Sequence, residues 1–225
     1  MDGYGTPHGT NLGKMVSKAR PKVTALLRSR RFYSRRELTQ QYKTHVLCLL
    51  EVNSGAFYHA LDTVLEPLEQ LQTSFLKQLG LNKENGFLQY NLMPLCARRD
   101  IAMLGMLFKC VHGMAHQDLQ RLFPRKMVTN HMYVTKLQAH RHHLQLHEER
   151  PGTHHALLRR SVFGLTRVWN RLPKELMATR CVTTFQTNLT ALVREACEQG
   201  ELEWDHLLSP RPPVIRETIQ FEKFW

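Results

Sequence analysis

Aspartate is scarce in this chain. Its five aspartates, Asp2, Asp62, Asp100, Asp118 and Asp205, are scattered, with no Asp-Asp pair and no DxD. Polymerisation, phosphoryl transfer and nuclease chemistry draw on clustered carboxylates that hold divalent metal. No such centre is expected, and no cofactor. A Walker loop, a GxGxxG turn and a GxSxG elbow are also absent. Five cysteines, Cys48, Cys96, Cys110, Cys181 and Cys197, show no CxxC spacing, and their odd number leaves one unpaired. That fits a reducing compartment, where cysteine serves as a small apolar residue. No run approaches 18 apolar residues, so no membrane span or membrane partner is expected. Residues 1–13 are Gly-rich and polar, unlike the apolar core of a secretory leader. Together these features predict a soluble intracellular protein, nuclear or cytoplasmic.

Positive charge, in contrast, is plentiful. Thirty-one Lys and Arg face 19 Asp and Glu, for a formal charge of +12. Residues 1–50 hold ten Lys/Arg and two acids, a net of +8, whereas residues 51–100 carry a net of −2. A polyanion is steered to the first segment, and such steering falls with salt.

The apolar pattern is helical almost throughout, so the predicted fold is mainly α. From Lys14 the stripe Val23, Leu26 and Leu27 is flanked by Lys22, Arg28, Arg30 and Arg31, although Pro21 limits where an unbroken helix can begin. Ser34 and Glu37 have capping-box spacing. Leu38, Tyr42, Val46, Leu49 and Leu50 then mark a helix to about Ala60, in which Gly55 costs about 1 kcal/mol relative to Ala. A third helix spans 64–79, with Gly80 as a left-handed C-cap before apolar Leu81. Residues 82–86 read as a loop. A fourth helix starts near Pro94 and stops at Gly113. Its Arg98 and Arg99 oppose the helix dipole and serve either an anionic partner or nearby acids. A short helix runs from Gln117 to Phe123, and a last strong one from Thr183 or Thr184 to Gly200. Five parts follow: a flexible lead-in (1–13), a thumb-like helical domain (14–123), a polar His-rich connector (124–156), a block with the C-terminal helix (157–200) and a tail (201–225).

Six histidines crowd residues 140–155. His143 and His147 have the four-residue spacing of paired ligands on a helix, but no cysteine lies within twenty residues, so a solvated cationic loop is the simpler reading. HHLQLH (142–147) alternates as an exposed strand does. Cys110 and His112 lie too close together in an apolar helix to form a nucleophile–base pair. Trp169, with Arg159, Arg160, Arg167, Arg171 and Lys174 around it, suits base stacking. A core anchor formed with Leu172 and Pro173 is the stronger reading.

Four blocks then define a resemblance: TALLRSRRFYSRRELTQQYKTHVLCLLE, LEPLEQLQTSFLKQLG, LMPLCARRDIAMLGMLFKCVHG, and SVFGLTRVWNRLPKEL with the later FQTNL. In order and spacing, over about 23–196, they resemble the region following the catalytic palm in reverse transcriptases of non-LTR, LINE-type retrotransposons. The resemblance implies a thumb and post-palm helical unit that grips a template–primer duplex. In that family the Mg2+ of RNA-directed DNA polymerisation is held by a Y/F-x-D-D motif absent here. Finger and palm motifs, an endonuclease domain and a Cys/His knuckle are absent too. The WN-x-LP block (Trp169, Asn170, Leu172, Pro173) is expected to be a structural corner. Lys22, Arg28, Arg30, Arg31, Arg35 and Arg36 are the candidate contacts to RNA or DNA backbone, without sequence specificity. Two alternatives stand beside this reading. One is an incomplete gene model of an active polymerase. The other is a helical protein-interaction module using the stripes at 64–79 and 184–196.

Overall fold

The structure, a computed structural model, describes residues 7–126, 142–148 and 155–211. It is mainly helical, and no strand forms among the described residues. Helix α1 spans Pro7–Arg28, so it starts within the expected lead-in and passes through Pro21. An internal proline costs about 3 kcal/mol or more. Here the ring is exposed, while Leu12, Val16, Ala19 and Val23, spaced four, three and four apart, bury one continuous face. Packing of that face against α5 (Asp62–Gln78) outweighs the local preference.

The capping box forms as its spacing predicts. Ser34 Oγ accepts the Glu37 amide at 3.3 Å, and Glu37 Oε2 accepts the Ser34 amide at 2.7 Å. The Ser34 amide and the Ser34 hydroxyl, which donates to Glu37 Oε2 at 2.8 Å, hold the Glu37 carboxyl below its usual range. The helix expected to reach Ala60 is shorter. After α2 (Arg35–Tyr42), a wide π turn spans Lys43–Leu47 and leads into α3 (Cys48–Glu51). The extra residue in that turn lets Val46, Leu47 and Leu50 all face inward, leaving Leu49 half-buried. Asn53, at φ 59°, ends the run before the single turn α4 (Ser54–Phe57).

Helix α5 ends as predicted. Gly80 takes φ 68°, the Leu81 amide bonds Leu76 O at 3.0 Å, and Leu81 is buried. The expected loop at 82–86 is instead the start of α6 (Lys83–Tyr90), which Asn82 caps by accepting the Asn85 amide at 2.8 Å. Gly86 permits this helix. A Cβ there would lie 2.9 Å from Leu76 Cδ2, so the Leu76 side chain would have to shift to admit one. Helix α7 (Leu95–Val111) starts after Pro94 and stops before Gly113, as expected. Helices α8 (Gln117–Arg121), α9 (His155–Arg159), α10 (Leu165–Trp169) and α11 (Val182–Glu198) follow.

Two apolar clusters form, but the boundary between them is not the His-rich stretch. The first joins α1, α2, α3 and α5, with Tyr42 stacked on Phe75 at 4.3 Å between ring centres. The second lies between α7 and α11, where Phe108 stacks on Phe185 at 4.7 Å. Helix α7 supplies Leu95 to the first and most of its inward face to the second. Because α7 serves both clusters, a cut between a front and a rear unit near residue 123 has no counterpart in the packing.

Two further expectations change. Of the polar connector, the described residues 142–148 are largely core: His142, Leu144, Gln145 and Leu146 are buried, and only His143, His147 and Glu148 face solvent. One antiparallel bridge, Arg125 to Leu146, stands where a strand was expected. The segment 201–211 is not a free tail either, since Trp204, Leu207 and Leu208 are buried against α6, α7 and α11. The terminal FEKFW lies outside the described residues.

Candidate nucleic-acid interface

All six predicted cations are exposed. Lys22 and Arg28 belong to α1, Arg30 and Arg31 to the 3-10 turn Ser29–Arg31, and Arg35 and Arg36 to the first turn of α2. Arg28, Arg30 and Arg31 converge with Thr24 and Leu27 on an open hollow of about 380 Å³. Lys22, Arg35 and Arg36 do not line it. Arg30 donates to Gln78 Oε1 at 3.3 Å, and Arg35 lies against Gly80, so these two side chains rest on the C-terminal end of α5. No ion pair engages any of the six among the described residues.

Arg35 and Arg36 sit at a helix N-terminus, where the dipole disfavours cations by about 0.3–1 kcal/mol each at an exposed site. Among the described residues, no carboxylate pairs with either guanidinium to offset that penalty. Arg98 and Arg99 contrast with them. Arg98 forms a two-pronged pair with Glu51, its Nη2 at 3.0 Å from Oε2, and buried Arg99 reaches Glu69 Oε1 at 2.6 Å. Of the two uses foreseen for that pair, the structure favours intramolecular charge pairing.

Sequence reasoning passed over Phe32 and Tyr33. They cap the turn between α1 and α2 and stand 84% and 44% exposed. Leaving a phenyl ring in water forgoes about 1.5–3 kcal/mol of burial. The signal was present in SRRFYSRR, an aromatic pair with two arginines on each side. Lys14, Lys18 and Lys22, spaced by four, add an exposed basic stripe along α1 that the same reading could have extracted.

Trp169 has no role on this surface. It is fully buried, meets Phe185 at 5.8 Å and donates its Nε1 proton to Leu144 O at 2.8 Å, so base stacking on it is ruled out. Asn170 and Leu172 are buried beside it, and Pro173 precedes the 3-10 helix Lys174–Ala178. His142 donates from Nε2 to Trp169 O at 2.8 Å, which leaves Nδ1 buried without a partner among the described residues. Burial lowers its pKa. His142 is therefore an interior histidine, and His143 and His147 belong to no metal-ligand cluster among the described residues.

The stripes proposed for partner helices are occupied internally. Leu65, Leu68, Leu71, Phe75 and Leu76 of α5, and Phe185, Leu189, Val193 and Ala196 of α11, are buried within the chain. No helix of the described residues is long and apolar enough to cross a membrane. No protein-family model, no curated protein and no solved structure matches the chain.

Proposed function

We propose that this chain is a helical nucleic-acid-binding unit of the kind its sequence resembles, the thumb and post-palm part of a LINE-type reverse transcriptase. It grips template–primer nucleic acid without specificity and performs no chemistry with these residues. Phosphates are neutralised by Lys22, Arg28, Arg30, Arg31, Arg35 and Arg36. Unpaired bases, such as a template overhang, stack on Phe32 and Tyr33.

One observation carries this reading: Phe32 stands 84% exposed in a turn between Arg30, Arg31, Arg35 and Arg36. Exposed cations alone describe any solvated basic surface. An exposed phenyl ring in a turn flanked by two arginines on each side in sequence matches the two chemical faces of a single strand, charged backbone and flat base. Stacking is worth about 1–3 kcal/mol per base, or about 5- to 150-fold in affinity.

Fluorescence anisotropy with three probes tests it: a duplex, a single strand and an abasic single strand. Arg30→Glu with Arg31→Glu is expected to weaken all three and to flatten the salt slope by about 1.4–1.8. Phe32→Ala is expected to weaken the base-bearing single strand alone. Wild-type protein that binds none of the probes overturns the whole reading. Equal wild-type binding of abasic and base-bearing strands overturns the stacking and leaves the phosphate contacts standing.

A further inference from the structure

We propose that Cys96, Asp205 and His206 form a zinc site that fastens the C-terminal segment to the start of α7. Cys96 is the second residue of α7, and the other two lie on the 3-10 helix Trp204–His206. One donor atom from each, the Cys96 sulfur, an Asp205 carboxylate oxygen and a His206 ring nitrogen, lies within 4.8 Å of the others. Bonds of about 2.0–2.3 Å in a tetrahedral site place ligand atoms about 3.3–3.6 Å apart, so a shift of about 1 Å closes the site. Thiolate, imidazole and carboxylate together select zinc over magnesium or calcium, which take oxygen ligands alone. The fourth position is left to water.

A second observation points to a cation. Asp205 is 8% exposed, and its Oδ1 is buried with no hydrogen-bond partner among the described residues. Its Oδ2 accepts Lys83 Nζ at 2.9 Å, and the Cys96 thiol reaches Asp205 O at 3.7 Å. Neither contact satisfies Oδ1. A buried carboxylate oxygen left bare costs about 1–3 kcal/mol or more, and a metal ion removes that penalty. With no metal bound, the Cys96 thiol carries its proton, as an ordinary cysteine does near neutral pH. Binding forms the sulfur–zinc bond and releases that proton to solvent. Zinc, thiolate and carboxylate then sum to zero charge, with Lys83 and Arg99 as nearby cations. The Lys83 side chain is 47% exposed and free to turn its ammonium into water.

Cobalt titration of the intact, chelator-treated protein tests the site, because a cysteine thiolate on cobalt gives a near-ultraviolet charge-transfer band. One equivalent per chain is expected to produce the band, and zinc to erase it. Cys96→Ser is expected to abolish it, with helical circular dichroism retained. His206→Ala is expected to weaken cobalt affinity at least about tenfold, and decides the matter if the serine variant fails to fold. Lys83→Met is expected to tighten binding by removing the competing ammonium. Absence of the band in wild type, its persistence in the serine variant, or unchanged affinity in the alanine variant overturns the proposal. Unchanged or weaker binding in the methionine variant does so too.

Discussion

The Asn170 side chain pairs with both backbone polar groups of Leu146. Its Oδ1 accepts the Leu146 amide at 2.8 Å, and its Nδ2 donates to the Leu146 carbonyl at 2.9 Å and to Glu148 Oε1 at 2.9 Å. A carboxamide thus stands in for a neighbouring strand. Gln145 donates to Asn170 O at 2.9 Å, and the Trp169 ring donates to Leu144 O, so the two segments are laced together from both sides. The WN pair holds the segment 142–148 in the core, where backbone groups without partners are costly.

Asn170→Ala is expected to destabilise the fold by about 2–4 kcal/mol, because it leaves the buried Leu146 amide and carbonyl without partners. Asn170→Asp keeps the acceptor but not the donor, and brings a charge beside Glu148, so it is not expected to rescue. Urea unfolding midpoints of both variants check this. A loss below about 0.5 kcal/mol, the scale of an ordinary surface change, would show the clamp to be dispensable.

Asp100 gives the fold a pH dependence. Its carboxyl is buried and accepts the Tyr58 hydroxyl proton. Burial raises its pKa to about 7, while the Tyr58 bond, Arg99 and Arg211 pull the other way. The folded state therefore holds this proton more tightly than the unfolded chain, whose aspartate titrates at about 3.9. The stability it confers is whole below about pH 4 and is lost as pH rises to about 7. Relative to Asp100→Asn, wild type is expected to lose on the order of a few kcal/mol across that window and then level off. Unfolding curves from pH 4 to 8 read the difference, and a trend of the opposite sign refutes the assignment.

Thiol reactivity is expected to be graded by position. Cys181 is exposed and precedes α11, where the backbone amide and hydroxyl of Thr184 and the amide of Thr183 lower its pKa. Cys110 and Cys197 are buried, and burial raises theirs. Alkylation at pH 7 followed by peptide mapping is expected to label Cys181 before either of them. First labelling at Cys110 contradicts the placement of α7.

The helices that the sequence made legible are those with local signals. The box at Ser34 and Glu37, the C-cap at Gly80 and the stop at Gly113 each act within a few residues, and they appear where predicted. Local signals misled where packing outweighed them. Pro21 did not interrupt α1, and Asn82 began a helix inside an apparent loop because Phe87 stacks on Trp204 at 5.5 Å. The histidine run drew attention to His143 and His147, yet Cys96, Asp205 and His206 hold the better ligand geometry. No spacing rule joins residues 109 apart.

By itself the sequence determined the helical character, the helix ends marked by local caps at Ser34, Gly80 and Gly113, and the basic bias of the first fifty residues. Periodicity, capping and charge are written within a turn or two of the chain, so they survive without knowledge of the fold. Tertiary structure alone decided which cations keep acid partners, that Phe32 meets water, and that 142–148 and 201–211 belong to the core. Those outcomes follow from which distant surfaces exclude water together, and burial is a property of the whole chain.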